Sequence, residues 1–377
     1  MQEVGCRRSP GRRVGRWPSL ALALGLTVAA VGIAACGGSS SSSSSSSAAS
    51  SSAGASSSTS TASSSSGGSL KKGLKVFVIP KNLGNNYFTV ADSVKSGGAL
   101  AALQELGETG SETSGSAATS ASQLPAIQAA IAKGANVLIV SGTDPTALCP
   151  TLKSAMARGV TVVTYDSDTP TCRQLFVNQA STAAIGTSEV DLLAKQTGSK
   201  GDIAIVSAAA SATNQNAWIG FMKQQLKKYP NMHLVSTVYG NDDPTTATQV
   251  TQGLLQKYPH LAGIISPTTV GIAAAAAVLD TPQYRGKVKL TGLGTPLSLK
   301  KFVDDGTIEG FELWDPSKLG YLAAYAAVNV ASKTLTGASG QSFTAGKLGK
   351  YTVGSDNTIV LGPPTVFNKA NIDQFNF

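Results

Sequence analysis

Two aspartates stand one residue apart directly after a β-branched run, in the sequence VVTYDSDTPTCR that covers residues 162–173. Asp166 and Asp168 could act as an acid/base pair, as metal ligands, or as hydrogen-bond acceptors for a polar ligand. Both lie in one loop, whereas the two carboxylates that flank a glycosidic bond come more naturally from separate elements. This position makes a pair of glycosidase carboxylates the weaker interpretation.

Other polar and aromatic side chains follow the predicted strands at their carboxyl ends, where ligands of open parallel sheets bind. They are Lys81, Asn85, Asn86, Tyr87, Phe88, Ser141, Thr143, Asp144, Asn214, Gln215, Asn216, Trp218, Pro267, Thr268, Thr269, Thr295, Trp314 and Asp315. Carboxylates and amides satisfy hydroxyls that both donate and accept, and aromatic faces cover C–H groups. The set therefore indicates a polyhydroxylated ligand. Several members also have an ordinary structural explanation, as turn residues, a helix N-cap or core.

Motifs for catalysis or for a bound cofactor are absent from the sequence. There is no G-x-S-x-G, P-loop or G-x-G-x-x-G pattern, and Gly292-Leu293-Gly294 lacks the rest of a dinucleotide fingerprint. His233 and His260 stand beside predicted strands in apolar company, without zinc-ligand spacing or a suitable serine. We expect a protein that is not an enzyme and that holds no metal or cofactor. A carbohydrate-active hydrolase is the alternative from another class.

Short β-branched runs alternate with alanine-rich helical stretches from Leu74 onward, and this alternation predicts an α/β fold. The predicted strands are 74–80, 135–140, 160–165, 174–179, 202–207, 233–239, 261–266 and 287–294. Their uniformly apolar character is typical of parallel strands that are buried on both faces. About 300 residues exceed one such sheet, so we predict two doubly wound, Rossmann-like lobes with several crossovers and a cleft between them. The first break is expected near 178–181.

The first 36 residues have the pattern of an export signal. Five arginines precede an apolar stretch, Leu20–Ala35, that is too short to span a bilayer comfortably. Ile33-Ala34-Ala35 before Cys36 resembles a bacterial lipobox, which implies lipidation of Cys36. A plain anchor helix with an incidental cysteine is the alternative. Residues 37–69 contain only Gly, Ser, Ala and Thr, so we predict a disordered tether over 37–72.

Two cysteines, Cys149 and Cys172, remain once Cys6 and Cys36 are assigned to the signal and the lipid site. In an exported chain such a pair favours a disulfide. Each cysteine follows a strand end, on adjacent parallel strands. Two buried thiols, or half of a metal site, are the alternatives.

The formal net charge of +9 overstates the basicity of the mature protein. Removing the five arginines of the signal and Glu3 leaves +5. The lysines are scattered rather than clustered with aromatic residues, so no nucleic-acid partner is expected. We predict a monomer that contacts the membrane only through its lipid.

Several segments together resemble the type I periplasmic sugar-binding proteins of ABC importers, within them the rhamnose-binding and autoinducer-2-binding (Lsr-type) subgroup. They are TALCPTLKSAMARGVTVVTYDSDTPTCR, VNQ, TNQNAW, SPTTVGIAAAA, FELWDP and VFNKANIDQFNF. The similarity covers about residues 73–377. It implies two lobes with three crossovers, the first formed by 73–179 and 316–344 and the second by 180–315 and 345–377. The tail of the chain is expected on the second lobe.

The resemblance also implies a ligand set, a small sugar as ligand and the membrane subunits of an importer as partners. The set is Lys81, Tyr87, Phe88, Asp166, Asn214, Gln215, Pro267, Thr269 and Trp314. Autoinducer-2 binders have Asp-Gln where this chain has Asn214-Gln215, and Pro-x-Ala where it has Pro267-x-Thr269. We therefore expect a rhamnose-like sugar, with autoinducer-2 as the alternative. Asp166 becomes a non-catalytic acceptor in the cleft, and Asp168 an organiser of the loop that contains Cys172.

Overall fold

The structure is a computed structural model that describes residues 69–377. The predicted signal, the lipidation site at Cys36 and residues 37–68 of the tether lie outside the described residues. The tether was predicted to extend to residue 72, which is too far. Leu70 packs against the hydrophobic core, and the Lys71 N–H donates to Ser332 Oγ at 2.9 Å. Leu70 and Lys71 therefore belong to the folded part.

Fourteen strands form two large sheets and two small antiparallel pairs in the described part of the chain. The strands are β1 (Lys75–Ile79), β2 (Thr109–Glu112), β3 (Val137–Val140), β4 (Thr161–Tyr165), β5 (Leu175–Asn178), β6 (Gly201–Ser207), β7 (Met232–Tyr239), β8 (Gly263–Ser266), β9 (Lys289–Gly292), β10 (Phe311–Leu313), β11 (Ser342–Thr344), β12 (Lys350–Thr352), β13 (Thr358–Val360) and β14 (Thr365–Phe367). Every strand predicted from the sequence is present. The additional ones are short or, like β2, half exposed, and so lack a continuous apolar run.

Ten α-helices alternate with these strands. They are α1 (Asn86–Asp92), α2 (Ala99–Glu105), α3 (Ser120–Ala132), α4 (Pro145–Ala157), α5 (Thr182–Thr197), α6 (Thr213–Gln225), α7 (Pro244–Lys257), α8 (Thr269–Leu279), α9 (Pro296–Asp304) and α10 (Pro316–Ala331). Asp144, Asp243 and Asp315 each cap a helix whose first residue is proline. Gly134 and Gly159 follow α3 and α4 with φ of 82° and 87°, as expected for the C′ position. None of the described helices is long and apolar enough to cross a membrane.

The first lobe is built on a parallel sheet with strand order β13-β5-β4-β3-β1-β2. Strands β3, β4 and β5 are entirely buried because helices cover both faces. The long apolar helix α10 packs on β3, β4 and β5 as well as on α1 and α2. This placement assigns residues 316–331 to the first lobe.

The second lobe contains a parallel sheet with strand order β7-β6-β8-β9. A bridge between Leu293 and Glu312 connects β9 to β10, which pairs antiparallel with β14. Gly292, whose φ is 144°, lies so close to β8 that a Cβ atom would stand 2.0 Å from the Ser266 carbonyl oxygen. Gly292 thus permits close strand packing, and Gly294 makes room for the side chain of Leu299.

The chain passes between the lobes three times: between β5 and α5, between β10 and α10, and between β13 and β14. The predicted boundary at residue 345 is wrong in one respect, because β13 (Thr358–Val360) pairs with β5 in the first sheet. Only the last part of the tail lies on the second lobe. There Phe375 and Phe377 pack on Phe367, and the Phe377 carbonyl accepts from the Leu297 N–H.

Candidate ligand-binding cleft

A cavity with about 340 Å³ of empty space, partly open to solvent, lies where the carboxyl ends of the two parallel sheets face each other. The lining consists of Lys81, Asn85, Tyr87, Phe88, Asp166, Gln215, Trp218, Asp242, Pro267, Thr268, Thr269, Leu293, Leu313 and Trp314. Every residue of the predicted ligand set lines the cavity except Asn214, which hydrogen-bonds to Lys81 and Asp166.

Asp166 lies at the end of β4 with its side chain buried. Its φ of 60° is in the left-handed region, which a non-glycine residue occupies only at a cost and which often marks functional sites. Ser141 Oγ, at the end of β3, donates to Asp166 Oδ2 at 2.7 Å. Lys81 Nζ, two residues after β1, stands 3.8 Å from the same oxygen. Three neighbouring strand ends thus build one charged group.

Asn214 connects this charged group to the second lobe. Its Oδ1 accepts a hydrogen bond from Lys81 Nζ at 3.3 Å, and its Nδ2 donates to the carbonyl and Oδ1 of Asp166 at 3.4 and 3.5 Å. The N-cap of α6 is Ala212, so Asn214 is not the helix cap. A neutral amide here donates to Asp166, which a carboxylate could not do.

The ionisation of the cleft residues follows from their burial. Burial raises the pKa of the Asp166 carboxyl, while Lys81 and the Ser141 hydroxyl act in the opposite direction. Asp242 adds a smaller upward contribution. Burial, reinforced by the negative charge of Asp166, holds the pKa of the Tyr87 phenol well above its usual value, so this group stays neutral.

Aromatic rings form a continuous apolar surface beside the polar group. Trp314 Nε1 donates to Tyr87 Oη at 2.8 Å, and the two rings meet edge to face with centroids 6.1 Å apart. Phe88 packs on Tyr87 at 5.1 Å, and Trp218 lies 6.1 Å from Trp314. Because Tyr87 and Phe88 belong to the first lobe and Trp218 to the second, both lobes contribute rings.

Asp168 has the organising position that the sequence suggested. Arg173 donates to both of its carboxylate oxygens at 3.0 Å, and Thr164 Oγ1 donates at 2.6 Å. Arg173 also reaches the carbonyls of Asp356 and Asn357, directly before β13. The loop after β4 is therefore fixed to the returning tail, and Asp168 does not line the cavity.

Cys149 and Cys172 are joined in a disulfide, with Cα atoms 5.3 Å apart. Cys149 lies within α4 rather than at a strand end, and Cys172 lies in the loop after β4. The bond ties α4 to the segment that carries Asp166 and Asp168.

Asp242, Leu293 and Leu313 line the cavity and were missed by the sequence analysis. Asp242 lies in the sequence Asn241-Asp242-Asp243-Pro244, in which only one aspartate is needed to cap α7. The other aspartate, which the cap does not need, was the signal in the sequence that could have indicated a cavity residue. Asn85, Trp218 and Thr268 were recognised as strand-end residues but not as part of the ligand set. No group of three His, Cys, Asp or Glu side chains that could hold a metal ion occurs among residues 69–377.

Residues 76–335 match the family described as the periplasmic binding protein domain. The chain belongs to this family. Its members are extracytoplasmic, non-enzymatic components of transport. Two parallel sheets that face each other across a cavity agree with this assignment.

Solved structures of sugar transport proteins resemble this periplasmic binding protein over most of their length. A sugar ABC transporter protein from Actinomyces odontolyticus is 44% identical, with a TM-score of 0.64, over 81% of this chain and 98% of that one. A solute-binding protein from Clostridium phytofermentas with bound L-rhamnose is 35% identical, with a TM-score of 0.77, over 81% and 99%. LsrB from Clostridium saccharobutylicum in complex with AI-2 is 26% identical, with a TM-score of 0.75, over 81% and 100%. The fold is that of sugar ABC transporter solute-binding proteins.

Proposed function

We propose that this protein captures a small sugar, a rhamnose-like 6-deoxyhexose or a close relative, and delivers it to an ABC importer. The observation that carries the proposal is the combination of a buried polar group, Lys81–Asp166–Asn214, with an aromatic surface formed by both lobes. The polar group pairs ring hydroxyls, and the rings cover the C–H face of a sugar. Eight of the nine residues predicted to contact the ligand line the cavity and keep that role in this proposal, and Asn214 orients Lys81 and Asp166 beside it.

The polar groups of the cavity match the needs of a buried sugar. Leaving a hydroxyl unpaired in a buried site costs about 1–3 kcal/mol, so a sugar site must supply partners for each. Gln215 Oε1 is buried and, within the described residues, has no hydrogen-bond partner. A ligand hydroxyl would satisfy it. Lys81 supplies a donor and Asp166 an acceptor on the opposite lobe.

Two substitutions favour a deoxyhexose over autoinducer-2. Asn214 stands where autoinducer-2 binders have aspartate, and its amide turns one acceptor into a donor. Thr269 stands where they have alanine, and it adds a hydroxyl and bulk. Tyr87, Phe88 and Trp314 offer an apolar surface for the methyl group of a 6-deoxysugar. The L-rhamnose complex is also the more similar relative, at 35% against 26% identity.

Calorimetry with L-rhamnose and autoinducer-2 tests this assignment, after a thermal-shift panel of monosaccharides. We expect the rhamnose-like sugar to bind at least about tenfold more tightly, which corresponds to about 1.4 kcal/mol. Equal affinities would refute the interpretation of Asn214 and Thr269, and reversed affinities would favour the alternative, an autoinducer-2 receptor of the same fold. Turnover of glycosides by the purified protein would instead support a hydrolase.

Ligand contacts from both lobes favour a closed state through differential affinity. Small-angle scattering should therefore report compaction when the sugar saturates the protein. An unchanged radius of gyration would argue against a hinged receptor.

Attachment to the cell membrane through a lipid on Cys36 completes the proposal, with the protein acting as a monomer. Cys36→Ser should release the protein into the medium or leave an uncleaved precursor. Mass spectrometry of the membrane fraction checks this, and a retained protein whose unmodified N-terminus lies elsewhere would contradict lipidation.

A further inference from the structure

The loop between β7 and α7 brings a carboxylate, Asp242, into the cavity from the second lobe. Asn241 and Asp242 have φ of 55° and 50°, so two successive non-glycine residues occupy the costly left-handed region. Capping of α7 does not explain this, because Asp243 Oδ1 accepts from the Thr246 N–H at 2.7 Å. The unusual backbone instead directs Asp242 toward the cleft.

One oxygen of Asp242 is held in place and the other is available. Thr268 Oγ1 donates to Asp242 Oδ1. Thr268 occupies the N-cap of α8, where a threonine commonly accepts from backbone N–H groups, yet its side chain makes no capping bond. Its hydroxyl orients Asp242 instead. Among residues 69–377 no hydrogen bond reaches Asp242 Oδ2.

The charges of the lining are unbalanced. Lys81 is its one cation, within the described chain, and it already lies beside Asp166. Asp242 adds a second carboxylate, and Gln215 Oε1 adds an acceptor without a partner. With two carboxylates against one cation, the lining has a formal negative charge, and Asp242 Oδ2 and Gln215 Oε1 accept no hydrogen bond within the described residues. Such a cavity suits an uncharged ligand that donates several hydroxyls.

We infer that Asp242 is a specificity-determining residue whose free oxygen accepts a hydrogen bond from one ring hydroxyl, with Thr268 as its positioning residue. The inference rests on the proposed sugar-binding function. Asp166 and Asp242 offer one acceptor from each lobe. A hydroxylated ring that donates to both therefore stabilises the closed state. An anionic sugar acid would bring its carboxylate into a negatively charged cavity and is rejected.

Calorimetry with L-rhamnose compares Asp242→Asn with Asp243→Asn. Asp242→Asn keeps the shape of the side chain but places a donor where the ligand needs an acceptor, so the affinity should fall at least tenfold. Asp243→Asn makes the same charge change one residue away, and asparagine still caps a helix well. Its affinity should stay within twofold of wild type.

Deoxy analogues identify the hydroxyl concerned. One of the 2-, 3- and 4-deoxy derivatives of L-rhamnose should bind weakly to wild type and with no further loss of affinity to Asp242→Asn. The other two should bind more weakly than L-rhamnose to both proteins. Thr268→Val should lower the affinity for L-rhamnose severalfold and Thr268→Ser should restore it, because serine keeps the hydroxyl. L-rhamnonate should show no binding to wild type.

The outcomes separate this inference from the function on which it rests. If wild type binds L-rhamnose and Asp242→Asn binds it equally well, the role of Asp242 is refuted while the proposed function stands. Tight binding of L-rhamnonate refutes the exclusion of anions in the same way. A wild-type protein that binds no neutral monosaccharide refutes both.

Discussion

Buried carboxyl groups occur in two regions of this protein, and their surroundings differ. In the cleft, Asp166 is surrounded by Ser141, Lys81 and Asn214, all of which favour its charged form. In the second lobe, Glu189 of α5 faces Glu312 of β10. Both oxygens of Glu189 lack a partner within the described residues, and Ser188 Oγ donates to Glu312 at 2.6 Å.

This difference appears in the ionisation of the two regions. Burial raises the pKa of Glu312 to about 7, and burial together with Glu312 holds the pKa of Glu189 well above its usual range. Within the part of the chain that the structure describes, no cation lowers the pKa of this pair, whereas Lys81 opposes the effect of burial on Asp166. Burial raises the pKa in both regions, but only in the cleft do a cation and hydrogen-bond donors together act in the opposite direction.

Truncation of the cleft carboxylate should have the largest effect. In Asp166→Ala the Lys81 ammonium stays buried without its counter-charge, and the ligand loses its acceptor. We expect the affinity for L-rhamnose to fall about a thousandfold, or about 4 kcal/mol. Calorimetry measures it, and circular dichroism establishes that the fold is retained. A loss below tenfold would mean that Asp166 makes no ligand contact.

Removal of the disulfide should lower the stability of the fold while it leaves the ligand affinity of the cleft almost unchanged. Closing the loop between Cys149 and Cys172 stabilises the protein by about 3 kcal/mol in the chain-entropy model. The double variant to serine should lose about that amount in urea unfolding. Arg173 and Asp168 still hold the loop, so ligand affinity should change less than about threefold. Two titratable thiols in the denatured, unreduced wild type would contradict the premise.

The interior pair should make stability depend on pH. The folded protein keeps a proton on Glu312 up to about pH 7, whereas the unfolded chain releases it near the ordinary pKa of 4.5. The contribution of Glu312 to the free energy of unfolding is therefore complete below pH 4.5 and is lost, by about 3 kcal/mol, as the pH rises from 4.5 through 7. Glu312→Gln should flatten this decline in urea titrations. The exposed Glu309→Gln makes the same charge change and should leave the decline intact; equal slopes in all three proteins would contradict the account.

Much of the fold could be predicted because its signals are local. Strands β1 and β3–β9 are visible in the sequence as apolar runs of four to eight residues, and helices α3 and α4 as stretches that are followed by glycine. Short strands such as β10, β13 and β14 have three residues each and no usable periodicity. Their pairing is decided by a distant partner, and for this reason the tail was assigned wholly to the second lobe.

The residues at strand ends show how far the sequence by itself determines the site. Topology alone gathers them at one edge, since parallel strands end together, and the ligand set that the resemblance implied lies among them. The division of roles was decided only by the tertiary structure. Asp242 and Asp243 are identical in type and adjacent, yet one caps a helix and the other lines the cavity. The reason is physical: a carboxylate acquires its role from the donors around it, and Thr268, Lys81 and Arg173 come from remote parts of the chain.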